Sequence, residues 1–145
     1  MRASFRSTVT VSEIVVFDTS VLIDDLRTGR HQPKIQSATG LIRNSAVVLA
    51  ELWRGATRSS EREFLLALGR NHPILTPTEK NWLESGRILG QMRTDLGLTA
   101  DKLRSLHFDV LIALTVRSHG ARLITSDRED FELISRYRIF AYEIW

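Results

Sequence analysis

The sequence predicts an α/β fold, a three-layer α/β/α sandwich with a mostly parallel central sheet, and three observations carry that expectation. Apolar runs of strand length alternate with stretches of helical periodicity from residue 13 onward. Ser, Thr, Asn and Gly stand at the joins, where caps and turns need them. No Pro/Gly/Ser-rich linker interrupts the pattern, so residues 13–145 are expected to form a single domain.

Taken in order, residues 1–12 are polar, Ser/Thr-rich and aperiodic, and read as a flexible N-terminal lead-in. EIVVF (13–17) reads as a short buried strand. Ser20 is placed to cap the helix VLIDDLRTG, which stops at Gly29 with Arg27 in its last turn. Residues 30–40 suit a loop or a short helical turn. LIRN then reads as a strand, followed by a helix capped by Asn44 or Ser45 that ends near Gly55. SEREFLLALGRN is a short amphipathic helix and HPILTP a short strand. The segment from Thr78 to Gly97 places Trp82, Ile88, Leu89 and Met92 at helical spacing. A further helix runs to Gly120, and RLIT, SDREDFELISRY and RIFAYEIW complete the chain as strand, helix and strand.

Bulk properties narrow the function classes. A composition of 43% hydrophobic and 26% charged residues is that of an ordinary globular domain rather than a disordered chain. No apolar run approaches a membrane span, so no membrane partner is expected and a cytoplasmic location is the default. The absence of cysteine removes disulfides and thiolate metal sites. The net charge of +3, rich in Arg, permits a nucleic-acid partner without requiring one.

Four carboxylates occupy unusual contexts. Asp18 ends the strand IVVF, Glu51 follows the apolar run AVVLA, Asp109 interrupts LHFDVLIAL, and Asp127 lies just past RLIT. Each has a bland explanation. Asp18 and Asp109 suit helix caps, Glu51 suits the polar side of its helix, and Asp127 suits an acidic helix start. Together they suggest more, because residues just beyond the C-terminal ends of parallel strands share one edge of the sheet. Carboxylates converging there would repel one another unless a cation relieved them. Oxygen-only ligation points to Mg²⁺, with Mn²⁺ as a substitute. The four histidines show no zinc-ligand spacing.

The motifs VVFDTSVLID, VVLAELWRGA, FDVLIALTV and LITSDREDF, in this order, resemble those of the PIN-domain nucleases, and within them the VapC-type toxins of toxin–antitoxin pairs. The resemblance spans most of residues 14–131. It implies metal-dependent hydrolysis of RNA phosphodiesters, leaving a 3′-hydroxyl and a 5′-phosphate. It also implies roles: Asp18 and Asp109 as core metal ligands, and Asp127 as a ligand directly or through water, with Asp130 as its substitute. Glu51 would orient or deprotonate the attacking water, completing a catalytic set of Asp18, Glu51, Asp109 and Asp127. Ser20 and Thr125 could steady the carboxylates through their hydroxyls, or act only as caps.

Arg27, Arg54 and Trp53 are candidate RNA contacts, with Arg30, Lys34, Arg58 and Arg104 as further cations near the motifs. The implied partners are an RNA substrate, a cognate antitoxin in a hetero-oligomer, and a second copy in a homodimer. The alternatives are an RNA-processing nuclease of the same fold without a toxic role, and a non-catalytic RNA-binding module. A phosphotransfer receiver fits poorly, because Asp24 and Asp25 fall inside a helix, where they read as surface residues, and RIFAYEIW has no Lys.

Overall fold

The computed structural model describes residues 13–37 and 40–145; the expected lead-in at residues 1–12 lies outside them. The elements run β1 (Ile14–Phe17), α1 (Thr19–Thr28), α2 (Gln32–Ser37), β2 (Leu41–Ser45), α3 (Ala46–Gly55), α4 (Ser59–Asn71) and β3 (Ile74–Leu75). After these come α5 (Glu79–Leu96), α6 (Ala100–Ser118), β4 (Arg122–Thr125), α7 (Arg128–Ser135) and β5 (Ala141–Ile144). The sheet has the order β3-β2-β1-β4-β5, and every neighbouring pair is parallel. Helices cover the sheet in an α/β/α arrangement, as parallel crossovers require. No helix among the described residues is long and apolar enough to cross a membrane.

Local chemistry explains the boundaries. The Ser45 hydroxyl accepts from the Val48 amide (3.2 Å) to open α3, while Asn44 instead donates its side-chain amide to the Leu68 carbonyl (2.7 Å) at the end of α4. Thr78 and Asn81 cap α5 reciprocally, each side chain accepting from the other's amide at 3.0 Å. Thr99 opens α6 by accepting from the Lys102 amide. Ser20 departs from its expected role. Asp18 occupies the N-cap position of α1, and Ser20 lies inside the first turn, where its hydroxyl donates to Asp18.

The core is built on Val15, Val16 and Phe17 of β1 and Leu123 and Ile124 of β4, all buried. From Val110 to Val116, α6 is buried on every side, so this helix runs through the interior rather than over it. Ile88, Leu89 and Met92 of α5 pack inward as expected, but Trp82 on the same stripe is half exposed.

The chain reverses direction across the sheet once. It steps from β1 outward to β2 and β3, then returns through α5 and α6 to place β4 on the other side of β1. That makes the junction of β1 and β4 the topological switch point, where connections diverge and a crevice opens beyond the strand ends.

Entry into β2 depends on Gly40. Its φ of +107° is a conformation L side chains rarely adopt, and a Cβ there would stand 2.4 Å from the Glu13 carbonyl oxygen. The same carbonyl accepts from the Leu41 amide at 2.7 Å, starting the β1–β2 pairing. Gly40→Ala should therefore lower unfolding stability by about 1–3 kcal/mol, read as a lower denaturant midpoint with an unchanged slope. A variant as stable as the parent would show that this turn relaxes freely.

Candidate active site

The crevice beyond β1 and β4 is built around Asp18. Its backbone amide donates to the Ile124 carbonyl (2.8 Å), extending the β1–β4 pairing by one residue, and the side chain is only 4% exposed. One oxygen, Oδ2, accepts from the Thr125 hydroxyl at 2.7 Å and from the Ser20 hydroxyl at 2.9 Å. Those hydroxyls in turn accept from the amides of Asp127 and Ser126, both at 3.0 Å. The strand ends and the start of α1 thus form one connected network. Burial pushes the Asp18 carboxyl up, while the hydrogen bonds from Thr125 and Ser20 favour its charged form.

Glu51 reaches the same crevice from α3, with Oε1 accepting from the Thr19 hydroxyl at 2.8 Å. Burial raises its pKa, the Thr19 hydrogen bond opposes this, and the charge of Asp18 adds to the rise. Asp109 projects from the middle of α6, which removes the capping explanation for it. Burial first, then the charges of Asp18, Glu51, Asp130 and Asp127, push its carboxyl up to about 8.

Asp127 caps α7, accepting from the Asp130 amide at 3.2 Å, and burial raises its pKa too. Asp130 pairs with the Lys102 ammonium at 3.1 Å. The hydrogen bond to Asp130 and the charges of Asp130, Glu129 and Asp127 raise the pKa of Lys102 against partial desolvation.

Carboxylate oxygens of Asp109, Asp127 and Asp130 all lie within 4.8 Å of one another. Asp18 and Glu51 stand beside this trio. An open cleft of about 460 Å³ is lined by Asp18, Glu51, Asp109 and Asp127, together with Thr19, Ser20, Ile23, Asp24 and Arg27. The donor set is carboxylate throughout, and only Asp130 of the trio has an ion-pair partner among the described residues. That chemistry fits a hard divalent cation such as Mg²⁺ or Mn²⁺. Three of the four histidines make side-chain hydrogen bonds, none of them to the trio: His31 with Asp24, His107 with Ser85 and His119 with the Thr115 carbonyl.

The structure corrects the sequence reading of Asp24, which lines the cleft rather than facing bulk solvent. Its charge is met by Arg30 (2.7 Å) and by the buried His31 (2.9 Å). Thr19 and Lys102 were also missed as contributors. Thr19 was visible inside the Asp-Thr-Ser motif, and Lys102 only through its spacing from Asp109.

Among the candidate RNA contacts, Arg27 is exposed and lines the cleft. Arg54 lies over the Phe108 ring at 5.6 Å, and Trp53, 41% exposed, is not part of the cleft wall. Arg30 is committed to Asp24, Lys34 lies over the Trp145 ring and Arg104 pairs with Asp101. Arg58 stands at the start of α4.

An all-parallel α/β fold with a carboxylate cleft at its switch point defines a class of protein suited to divalent-cation chemistry. Within that class the assignment is specific: a PIN-domain family model matches residues 15–137, and the chain belongs to the PIN-domain family, a family of nucleases. Among solved structures, it resembles a VapBC2 complex from Rickettsia felis bound to a promoter DNA fragment, at 19% identity and a TM-score of 0.67, covering 91% of this chain and 98% of that one. It is also similar to VapBC-1 from nontypeable Haemophilus influenzae, at 19% identity and 0.66, with the same coverages. A toxin–antitoxin complex from Klebsiella pneumoniae matches at 24% identity and 0.58, covering 81% and 89%. At these identities the likeness is one of fold. No curated protein matches the sequence.

The elevation of Asp109 has a measurable sign. Its folded pKa, about 8, lies above the ordinary 3.8, so the metal-free folded state holds more protons than the unfolded chain between those values. The contribution of this group to stability is therefore intact below about pH 4 and is lost as pH rises toward 8. Thermal unfolding of metal-free protein and of Asp109→Asn should give similar midpoints near pH 4 and a clear advantage to the variant near pH 8. A difference that stays constant across this window would show that Asp109 is not held in an electrostatically strained position.

Proposed function

We propose that this protein is a Mg²⁺-dependent endoribonuclease of the VapC type, the toxin of a type II toxin–antitoxin pair that inhibits translation and growth. The observation that carries the proposal is the convergence of Asp18, Glu51, Asp109 and Asp127 on one cleft in a chain of the PIN-domain family. Asp18 and Asp109 would hold the ion, with Asp127 as a further ligand. When bound, the ion supplies Lewis acidity toward a water and a phosphoryl oxygen and neutralises developing negative charge.

The protein's own groups do the rest. Thr125 and Ser20 orient the Asp18 carboxylate through paired hydrogen bonds to Oδ2. Thr19 fixes Oε1 of Glu51, and burial makes that carboxylate a stronger base toward the proton of an attacking water than an exposed one would be. Arg27 at the cleft wall is placed to meet a phosphate of the RNA backbone. Attack at phosphorus breaks the bond to the 3′ oxygen, which leaves as a 3′-hydroxyl while the 5′-phosphate stays on the other fragment.

Two protein partners accompany this reading. The solved VapBC and toxin–antitoxin structures support an antitoxin partner, and the acidic cleft would suit a segment of that partner carrying a basic side chain. A small apolar groove formed by Ile23, Leu26, Leu52 and Leu65 adjoins the cleft at Arg27 and Glu51, and suits the apolar part of such a segment. Homodimerisation is supported by an exposed apolar surface on the other side of α3, where Ala46, Val47, Ala50, Pro77, Trp82, Phe108 and Leu111 line a depression of about 210 Å³. A cytoplasmic location belongs with this set of partners.

Antitoxin-free protein should cleave structured RNA with Mg²⁺ or Mn²⁺ and stop when EDTA is added. Thr125→Val, which removes one donor from Asp18, should slow cleavage about 10–100-fold, and Asp18→Asn and Asp109→Asn should lose more than that. Cleavage by either Asn variant at the parental rate would remove the site assignment. Cleavage without growth arrest on induction in the native host would favour an RNA-processing nuclease, and RNA binding without cleavage a non-catalytic module.

A further inference from the structure

Lys102 sits in the first turn of α6, two helical turns before Asp109, so the two side chains project from one face of that helix. Thr99 fixes its backbone by accepting from its amide at 3.2 Å. Its ammonium bonds Oδ1 of Asp130 at 3.1 Å, with the Asp130 side chain only 18% exposed. Asp130 is thus tied twice, through its carboxylate to Lys102 and through its amide to Asp127. Asp127 accepts from that neutral amide and lies carboxyl to carboxyl with Asp130, and no ion pair to it is found among the described residues.

This asymmetry separates two carboxylates that look interchangeable within the Asp109–Asp127–Asp130 trio. An ammonium and a divalent ion on the same carboxylate repel each other at short range, so occupancy of Asp130 by one disfavours the other. We infer that Lys102 is a positioning residue that withholds Asp130 from the divalent ion, leaving Asp127 to act with Asp109 and Asp18. The inference rests on the metal-dependent nuclease reading and goes beyond it by deciding which acidic residue of α7 is a ligand.

Mn²⁺ titration of the full-length protein, with free ion followed by electron paramagnetic resonance, tests this without reference to activity. Asp127→Asn should weaken binding at least about tenfold, whereas Asp130→Asn should stay within about threefold of the parent. Lys102→Met should tighten binding about tenfold or admit a second ion, Lys102→Arg should restore the parental value, and the gain should vanish in Lys102→Met/Asp130→Asn.

Equal losses in the two Asn variants would overturn the inference, as would a Lys102→Met gain that persists without Asp130, which would mark a general charge effect. No change in Lys102→Met would overturn it too. If Lys102→Met fails to fold, the comparison of Asp127→Asn with Asp130→Asn still decides. A parent that binds no Mn²⁺ at all overturns the nuclease reading itself, a result distinct from any difference among variants.

Discussion

The hydrogen bond from Thr125 to Asp18, 2.7 Å long and buried, joins the ends of the two strands that flank the switch point. Everything at the site is arranged around it. Asp18 cannot leave the sheet edge, because its amide is held by the Ile124 carbonyl and its carboxylate by Thr125 and Ser20. Those hydroxyls are held in turn by amides at the start of the β4–α7 connection. A buried carboxylate with this many neutral donors can keep its charge, where an isolated one would take up a proton.

Keeping that charge sets the conditions for the rest of the cleft. Asp109 arrives on a helix whose next two turns are fully buried, so it has no freedom to withdraw from Asp18, Glu51, Asp127 and Asp130. Burial, reinforced by that repulsion, raises its carboxyl to about 8. The fold therefore holds stability in reserve for function: the carboxylates are placed where a cation, not the unliganded protein, is best served. Arg30 and His31 deal with Asp24, and Lys102 with Asp130, so the uncompensated charge is concentrated on Asp18, Glu51, Asp109 and Asp127.

Much of this could be read from the residues themselves. IVVF followed by Asp18 and RLIT followed by Asp127 report strand ends directly, and adjacency of β1 and β4 follows if the sheet is doubly wound. The family motifs supplied Glu51 and Asp109, whose burial and capping alternatives the residues alone left open. Other features depended on contacts that local pattern does not contain. Asp24 looked like a surface residue because its partners, Arg30 and His31, come after a turn whose path the sequence does not specify. Ser20 was expected to cap α1, but the helix begins two residues earlier, and the hydroxyl turns back to Asp18. Trp82 obeyed the helical period and yet remained half exposed, with only an edge-on contact to His107 of α6 on its ring. Lys102 became meaningful only through its ammonium's contact with Asp130, 28 positions away on another helix.

Asp109, raised first by burial and then by the neighbouring carboxylates, should stay protonated at neutral pH until a divalent cation binds. Calorimetric titration with Mg²⁺ or Mn²⁺ at pH 7, repeated in buffers of different ionisation enthalpy, counts the protons released on binding. The account predicts release of about one proton per ion bound, falling toward zero as the pH is raised above about 8. Ion binding with no proton release at pH 7 would contradict it, because the cleft would then have been fully ionised, and not electrostatically strained, before the ion arrived.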